Sequence, residues 1–402
     1  MTIEGVVDIG RRRWLMLGLG TLAQTASCAF LYGLPYLLPM IRRTEHLSLA
    51  QAGALIAAPT IGVIVALIPW GAAADRFGER IVMALGLGAA GALLLLADFT
   101  HDVWSLGAVL ALAGAGGASV NAASGRVVLG WFPAHQRGLA MGARQMAQPL
   151  GLMLAAVSLP PIAGRWDFRA ALIALGCFAL VTAALVAVLV IDPVRKAGKK
   201  AETPSASPYR TPALWRVHGA SALLVVPQFV TSAFALEYLV SQRDWSSTQA
   251  GRLLAIVQLC GALGRLGVGV WSDRVGSRLR PMRQIAVASA VAMLALAAGT
   301  AGHSVLAIVA LGAASVISVT DNGLGFTATA EIAGPMWAGR ALGAQNTGQN
   351  IAAFATPPVF GALIGGPGYV TAFVIAAIFP ALGVLSVPVR SGEARGDRGS
   401  DG

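Results

Sequence analysis

Charged residues are scarce in this chain: they make up 12% of its 402 residues, whereas hydrophobic residues make up 56%. Because an ordinary soluble domain carries about 25% charged residues, this composition excludes a typical water-soluble fold. Lysine is rarer still, with three residues that all lie between Lys196 and Lys200. The net charge of +11 would indicate nucleic-acid binding in a soluble protein, but the positions of the arginines give another explanation below.

Cysteine and the residues of catalytic or metal sites are also sparse. Cys28, Cys177 and Cys260 lie far apart in apolar segments, so they predict small core side chains and no disulfide framework or metal motif. The five histidines fall near the ends of apolar segments or in loops. No paired carboxylates or nucleophile constellation marks a loop, which disfavours a membrane enzyme, and we expect no metal or other cofactor.

Long apolar runs are abundant, and about 20 such residues suffice for a helix that crosses a bilayer. Twelve segments qualify as spans one to twelve: 14–40, 49–72, 81–99, 104–129, 138–163, 169–191, 214–240, 248–271, 284–301, 303–328, 341–364 and 369–388. The connection 193–213 is long, basic and rich in proline and serine, as linkers are. We predict an all-α membrane protein with six-helix bundles at 1–192 and 214–390, a cytoplasmic linker between them, and a cytoplasmic tail at 391–402.

The basic residues are distributed unevenly between the two sides of this topology. With the N-terminus inside, 20 of the 29 fall on the inner side, six on the outer side and three within spans. Positively charged loops stay in the cytoplasm. We therefore expect a multi-pass protein of the cell inner membrane with both termini cytoplasmic, and no nucleic-acid partner is needed to explain the charge.

A ten-residue element occurs twice, at 71–80 between spans two and three and at 269–278 between spans eight and nine. Five positions match at one offset of 198 residues, namely Gly71, Asp75, Arg76, Gly78 and Arg80 with Gly269, Asp273, Arg274, Gly276 and Arg278. Two copies of a charged loop near half the chain length indicate a duplicated membrane unit. The first glycine of each copy predicts a close helix approach, and the second predicts a turn.

This Gly-x-x-x-Asp-Arg-x-Gly-x-Arg element resembles the signature loop of the major facilitator superfamily of secondary transporters. The resemblance covers essentially the whole chain and implies two pseudo-symmetric six-helix bundles that work by alternating access. It also implies that the loops gate the cytoplasmic side, although loops that only fix topology and packing are the alternative. Leu110 stands where many members carry an arginine, and residues 159–164 lack the element of drug/proton antiporters. Both departures disfavour drug efflux.

Polar residues inside the spans are concentrated in spans one, four, five, seven, eight, ten and eleven. The resemblance implies that these spans line or flank a central cavity. The candidate substrate-binding residues are Arg265, Arg144, Gln148, Asn121, Gln258, Tyr32, Asn322, Gln345 and Gln349. Arg144 and Gln148 share a helix face by their spacing of four, as do Asn346 and Asn350. The alternative for each amide is a hydrogen bond between helices.

Arg265 lies eight residues before Asp273, or about 12 Å deeper along the helix. Its context resembles span eight of monocarboxylate porters and of the oxalate/formate antiporter family, where such an arginine binds the substrate carboxylate. A structural pair with Asp321 or Glu237 is the alternative. Arg144 is the second candidate for binding an anion, and Arg126 is expected to be structural.

Glu237 and Asp321 are the candidate proton carriers, although Glu237 stands near the outer end of span seven. Together these residues predict a secondary transporter that moves a small organic anion, such as a carboxylate, with a proton. Its expected partners are the substrate, protons and the lipid bilayer, and it is expected to work as a monomer. An exporter of hydrophobic compounds and a non-transporting sensor are the alternatives.

Overall fold

The structure is a computed structural model that describes residues 3–100, 102–132, 140, 143–192, 207–334 and 337–389. Within those ranges, the side chains of residues 3–11, Asp75, 125–130 and 338–339 are not described. The predicted tail at 391–402 therefore lies outside the described residues, as do residues 193–206 of the predicted linker and the side chains of Arg126 and Asp75.

Fourteen α-helices make up the described chain, with no strand among the described residues. They are α1 (Ile3–Gly33), α2 (Leu38–Thr44), α3 (Leu49–Phe77), α4 (Glu79–Leu96), α5 (Val103–Trp131), α6 (Ala147–Arg165), α7 (Phe168–Leu189), α8 (Pro212–Arg243), α9 (Ser247–Val275), α10 (Leu279–Ala301), α11 (Leu306–Ile317), α12 (Asn322–Ala333), α13 (Ala338–Gly365) and α14 (Tyr369–Ser386). Short 3₁₀ turns follow α1 and α4 and precede α8.

The prediction of an all-helical membrane protein is confirmed, with helices at all twelve predicted spans. Span one corresponds to α1 and α2 joined by the turn Leu34–Leu37. Span ten was predicted as one helix, but it is broken into α11 and α12 by the non-helical residues 318–321. Among the described residues, eleven stretches are long and apolar enough to cross a membrane, and α13 is not one of them. Four amides and two prolines in α13 account for its lower hydropathy.

The helices group into two compact units. The first contains residues 1–47, 54–198 and 239–255, and the second contains 48–53, 199–238 and 256–402. The beginning of α3 thus groups with the second unit, and the beginning of α9 groups with the first. The bundle boundaries at 192 and 214 remain a prediction.

Each unit repeats one packing arrangement. In the first unit, α4 packs against α5 and α7, and in the second unit α10 packs against α11 and α14. These are the helices of spans three, four and six and of spans nine, ten and twelve, so the packing follows the duplication seen in the sequence. In the first unit α1 also packs against α5 and α6, which carry the polar residues described below.

Large apolar side chains cover the outer faces of the helices. Ile68, Trp104 and Val188 are each more than 70% exposed. A soluble monomer rarely exposes so much apolar surface, whereas lipid accepts it. Only Cys28 among the three cysteines is buried, so the prediction that Cys177 and Cys260 are core residues was wrong. They belong to the exposed apolar surface instead.

Candidate functional site

The two repeated loops turn on their second glycines. Gly78 has φ +94° and Gly276 has φ +65°, a region that favours glycine, and the predicted turns are confirmed. The close helix approach predicted at Gly71 and Gly269 was wrong, because a Cβ built at either position meets no atom of the described residues within 4 Å. A close crossing lies deeper in α3, where a Cβ at Gly62 would be 1.8 Å from the carbonyl oxygen of Ala111.

The last arginines of the two loops bind different partners, although their sequence positions match. Arg80 donates through Nε to the carbonyl of Ala187 at 2.6 Å, and its backbone N–H donates to Asp192 at 2.7 Å. Arg278 instead binds carboxylates, with Nη1 2.5 Å from Asp273 and Nε 3.3 Å from Glu331 on α12. The second loop is thus tied to α12 by charge, whereas the first is tied to the end of α7.

Opposing effects act on the pKa of Arg278. Partial burial lowers the pKa of its guanidinium, but the hydrogen bonds and charges of Asp273 and Glu331 outweigh burial and raise the pKa overall. Arg278 therefore stays charged throughout the physiological range. Asp273 remains well exposed, with 67% of its side chain accessible, and it pairs within its own loop.

A chain of hydrogen bonds in the first unit joins three of its helical segments. Arg144 precedes α6 and donates through Nη1 to the Ser124 hydroxyl at 3.2 Å. Ser124 on α5 donates to Gln24 Oε1 on α1 at 3.0 Å. Gln24 Nε2 then donates to Asn121 Oδ1, one turn away from Ser124 on α5. We call Arg144, Ser124, Gln24 and Asn121 the first-unit relay.

Arg144 has no acidic partner in the part of the chain that the structure describes. Its Nη2 donates to Gln145 Oε1 at 3.0 Å, and its Nε atom is buried and has no hydrogen-bond acceptor among the described residues. The sequence offers none nearby either, since residues 103–166 contain no aspartate or glutamate. A half-buried arginine whose partners among the described residues are all neutral retains an unbalanced positive charge, which favours the binding of an anion.

Arg265 has a different environment in the second unit. Its Nε donates at 3.0 Å to the carbonyl of Val319, a residue of the non-helical break between α11 and α12. Asp321 lies in the same break, is 1% exposed, and experiences the charge of Arg265. The arginine therefore supplies a donor to an interrupted backbone and a positive charge to a buried carboxylate.

The amides of the second unit form three groups of hydrogen bonds. Asn322 donates to Gln228 Oε1 at 3.1 Å and accepts from Gln349 Nε2 at 3.4 Å, so α8, α12 and α13 meet there. Gln345 bonds to Ser221, Thr329 and His218. Asn346 and Asn350 bond to each other at 2.8 Å, which confirms their predicted common face.

The remaining predicted site residues are divided between the two units. Tyr32 and Gln148 are half-buried in the first unit, whereas Gln258 and Glu237 are buried in the second. Because α6 begins at Ala147, Arg144 precedes the regular helix that contains Gln148.

Gln24 and Ser124 are central to the first-unit relay, but the sequence did not single them out as site residues. A signal was available for Gln24, because residues 24–30 match residues 228–234 at three positions when offset by 204. In the structure each of the two matching glutamines bonds to an asparagine. Gln24 bonds to Asn121, and Gln228 bonds to Asn322. Ser124 has no such signal, because a serine in an apolar helix is common.

Helices long and apolar enough to cross a membrane, two matched loops and buried polar side chains define a polytopic membrane protein, and its class is a transporter rather than an enzyme. The family model of the Major Facilitator Superfamily matches residues 20–357 and 228–402. The chain belongs to this superfamily, as the loop resemblance predicted.

Similar proteins agree with this assignment. The uncharacterized MFS-type transporter Rv2994 of Mycobacterium tuberculosis is 44% identical over 384 residues, which are 94% of this chain and 85% of that protein. A probable sulfoacetate transporter of Cupriavidus necator, SauU, is 26% identical over 379 residues, covering 87% of this chain and 86% of that one.

The fold is similar to that of a bacterial homolog of the human lysosomal transporter Spinster, crystallised in an inward-facing and occupied conformation. The TM-score is 0.78 at 15% identity, covering 94% of this chain and 97% of that one. At this identity the likeness concerns the fold alone.

Proposed function

We propose that this chain is a secondary active transporter for a small organic anion and that Arg144 is the residue that binds the anionic group. The observation that carries the proposal is the unbalanced charge of Arg144 among neutral partners, with a buried Nε left to donate. A substrate carboxylate or sulfonate supplies the missing negative charge. Hydrogen bonds to charged groups are worth about 1.5–3 kcal/mol, enough for strong discrimination.

The name of one relative points to the same substrate class. Sulfoacetate, the compound in the name of the Cupriavidus necator protein, carries a carboxylate and a sulfonate. Both groups present oxygen acceptors to an arginine, which holds such groups through parallel hydrogen bonds. This similarity supports an anionic substrate without selecting one compound.

Arg265 has a second role in this proposal. Because its charge acts on Asp321 and its Nε is engaged at Val319, we assign it to proton coupling together with Asp321. Protonation of Asp321 removes the negative charge beside Arg265 and releases the constraint on the broken span. Glu237, buried in α8, is the second proton carrier in the proposal.

The repeated loops serve as gates in the proposed cycle. The ties from Arg278 to Asp273 and Glu331 hold the second loop on α12, so breaking them frees α12 to move. The excess of basic residues in the loops on one side supports a cytoplasmic location for both gates and both termini, in an inner membrane.

Transport by the purified full-length protein in proteoliposomes tests the proposal. An inward proton gradient should drive accumulation of labelled sulfoacetate or succinate, and Arg144→Gln should reduce it about 10- to 100-fold. Arg252→Gln, which removes an exposed arginine, is the control and should retain transport. Equal transport by the Arg144→Gln variant would refute the assignment. Transport of neutral hydrophobic compounds alone would indicate an exporter of that class.

A further inference from the structure

The first-unit relay has a fixed direction, because arginine can only donate hydrogen bonds. Ser124 accepts from Arg144 and therefore directs its own hydrogen to Gln24 Oε1. With its oxygen occupied, Gln24 offers its amide N–H to Asn121 Oδ1. Each step follows from the previous one, so the charge on Arg144 sets the orientation of an amide three hydrogen bonds away.

The direction of the relay leaves donors at both of its ends. Every side-chain oxygen of Ser124, Gln24 and Asn121 already accepts a hydrogen bond from its neighbour. Among the described residues, neither Asn121 Nδ2 nor Arg144 Nε has a side-chain acceptor. Asn121 is half-buried, so this residue keeps some accessible surface. The relay thus offers hydrogen-bond donors to a ligand and no free side-chain oxygen of its own.

The second unit contains the equivalent amide pair but with the opposite direction. There Asn322 donates to Gln228, and Gln349 donates to Asn322. With an offset of 201, Asn121 corresponds to Asn322, Ser124 to Gly325 and Arg144 to Gln345. The second unit therefore lacks both the hydroxyl and the cation that set the direction in the first. The reversal shows that a Gln–Asn pair alone does not determine whether the asparagine uses its amide oxygen or its amide nitrogen within the pair.

We infer that Ser124 and Gln24 are positioning residues that hold Asn121 Nδ2 as a second donor for the substrate, so the first unit selects molecules whose polar groups are all acceptors. Carboxylates and sulfonates fit this requirement. A primary amide of the same shape does not, because its N–H₂ group would face Asn121 Nδ2 or Arg144. This inference rests on the proposed function and narrows its substrate class.

The test compares acid and amide forms of one ligand on the purified full-length protein. Equilibrium binding is measured for sulfoacetate and succinate and for the analogues in which one carboxylate is a primary amide. The wild type should prefer the acid by at least about 10-fold, which corresponds to one charge-assisted hydrogen bond. In Ser124→Ala the Gln24 amide is free to turn, so this preference should fall by about 10-fold.

Two further variants separate positioning from simple damage to the fold. Ser119 lies on the same helix, is buried, and its hydroxyl has no hydrogen-bond partner in the described chain, so Ser119→Ala should keep the preference. Asn121→Asp replaces the free donor by an acceptor and should weaken acid binding more than amide binding.

The possible results distinguish this inference from the proposal beneath it. If Arg144→Gln loses anion binding while Ser124→Ala keeps the wild-type preference for the acid, the relay has no role and only this inference is wrong. If the wild type binds the acid and the amide equally, this inference is wrong, and if Arg144→Gln binds the acid normally, the proposed function itself is wrong. Loss of preference in Ser119→Ala as well would also count against the relay.

Discussion

Replacing Arg265 by glutamine should destabilise the protein, and replacing Asp321 as well should recover much of the loss. Asp321 is 1% exposed and the charge that acts on it comes from Arg265. Asp321 is buried, and leaving a buried carboxylate without the positive charge that acts on it costs up to about 3–5 kcal/mol, the cost of breaking a buried ion pair. Removing both leaves two neutral side chains of similar size, which often costs little.

Four proteins make a double-mutant cycle: the wild type, Arg265→Gln, Asp321→Asn and the double variant. Unfolding is followed in one detergent at one pH, and the interaction energy is the departure from additivity. We expect a coupling of about 2 kcal/mol or more, with the double variant more stable than either single variant. Additive losses would refute the pairing and would leave Arg265 available as a substrate-binding residue.

Three further predictions concern the loops and the helix ends. Gly78→Ala should destabilise the protein more than Gly276→Ala. Both substitutions cost about 1–2 kcal/mol because the residue has a positive φ. Only at Gly78 would the added Cβ also clash, since it would lie 2.3 Å from Asp192 Oδ2. Asp192→Ala should relieve part of that difference in unfolding measurements. Arg278→Gln should lower the free energy of unfolding by about 1 kcal/mol or less, because Asp273 and Glu331 are largely exposed. The loss should become smaller at high salt, and a loss that does not depend on salt would contradict this prediction. Arg169→Gln should lower the free energy of unfolding by about 1–3 kcal/mol in thermal unfolding, because Arg169 binds the Ala97 carbonyl at 2.9 Å and Glu45 at 3.4 Å. An unchanged unfolding transition would show that these contacts do not stabilise the fold.

The sequence predicted the helices well because each span is a long apolar run, and it predicted the loop turns because glycine tolerates positive φ at positions 78 and 276. The break in span ten was not predictable in the same way. Residues 318–321 contain no proline or glycine, and the interruption is accompanied by a hydrogen bond from Arg265 to the Val319 carbonyl. That partner comes from another helix and is invisible to local patterns.

The candidate site was predicted as a list of residues rather than as a set of contacts. Arg265 stood out because of its depth, whereas Arg144 stands out in the structure because its partners are neutral. Depth follows from position in the sequence, but the balance of charge around a side chain depends on which helices pack beside it. For the same reason Arg80 and Arg278, which match in the repeat, bind different partners.

Equilibrium binding of one labelled organic anion to two charge variants tests the central claim most directly. The variants are Arg144→Gln and the double variant Arg265→Gln/Asp321→Asn, each measured against the wild type with sulfoacetate as the probe. The account predicts that Arg144→Gln weakens binding about 10- to 100-fold and that the double variant, which removes one positive and one negative charge, still binds. Normal binding by Arg144→Gln together with loss of binding in the double variant would contradict it and would transfer the anion site to Arg265.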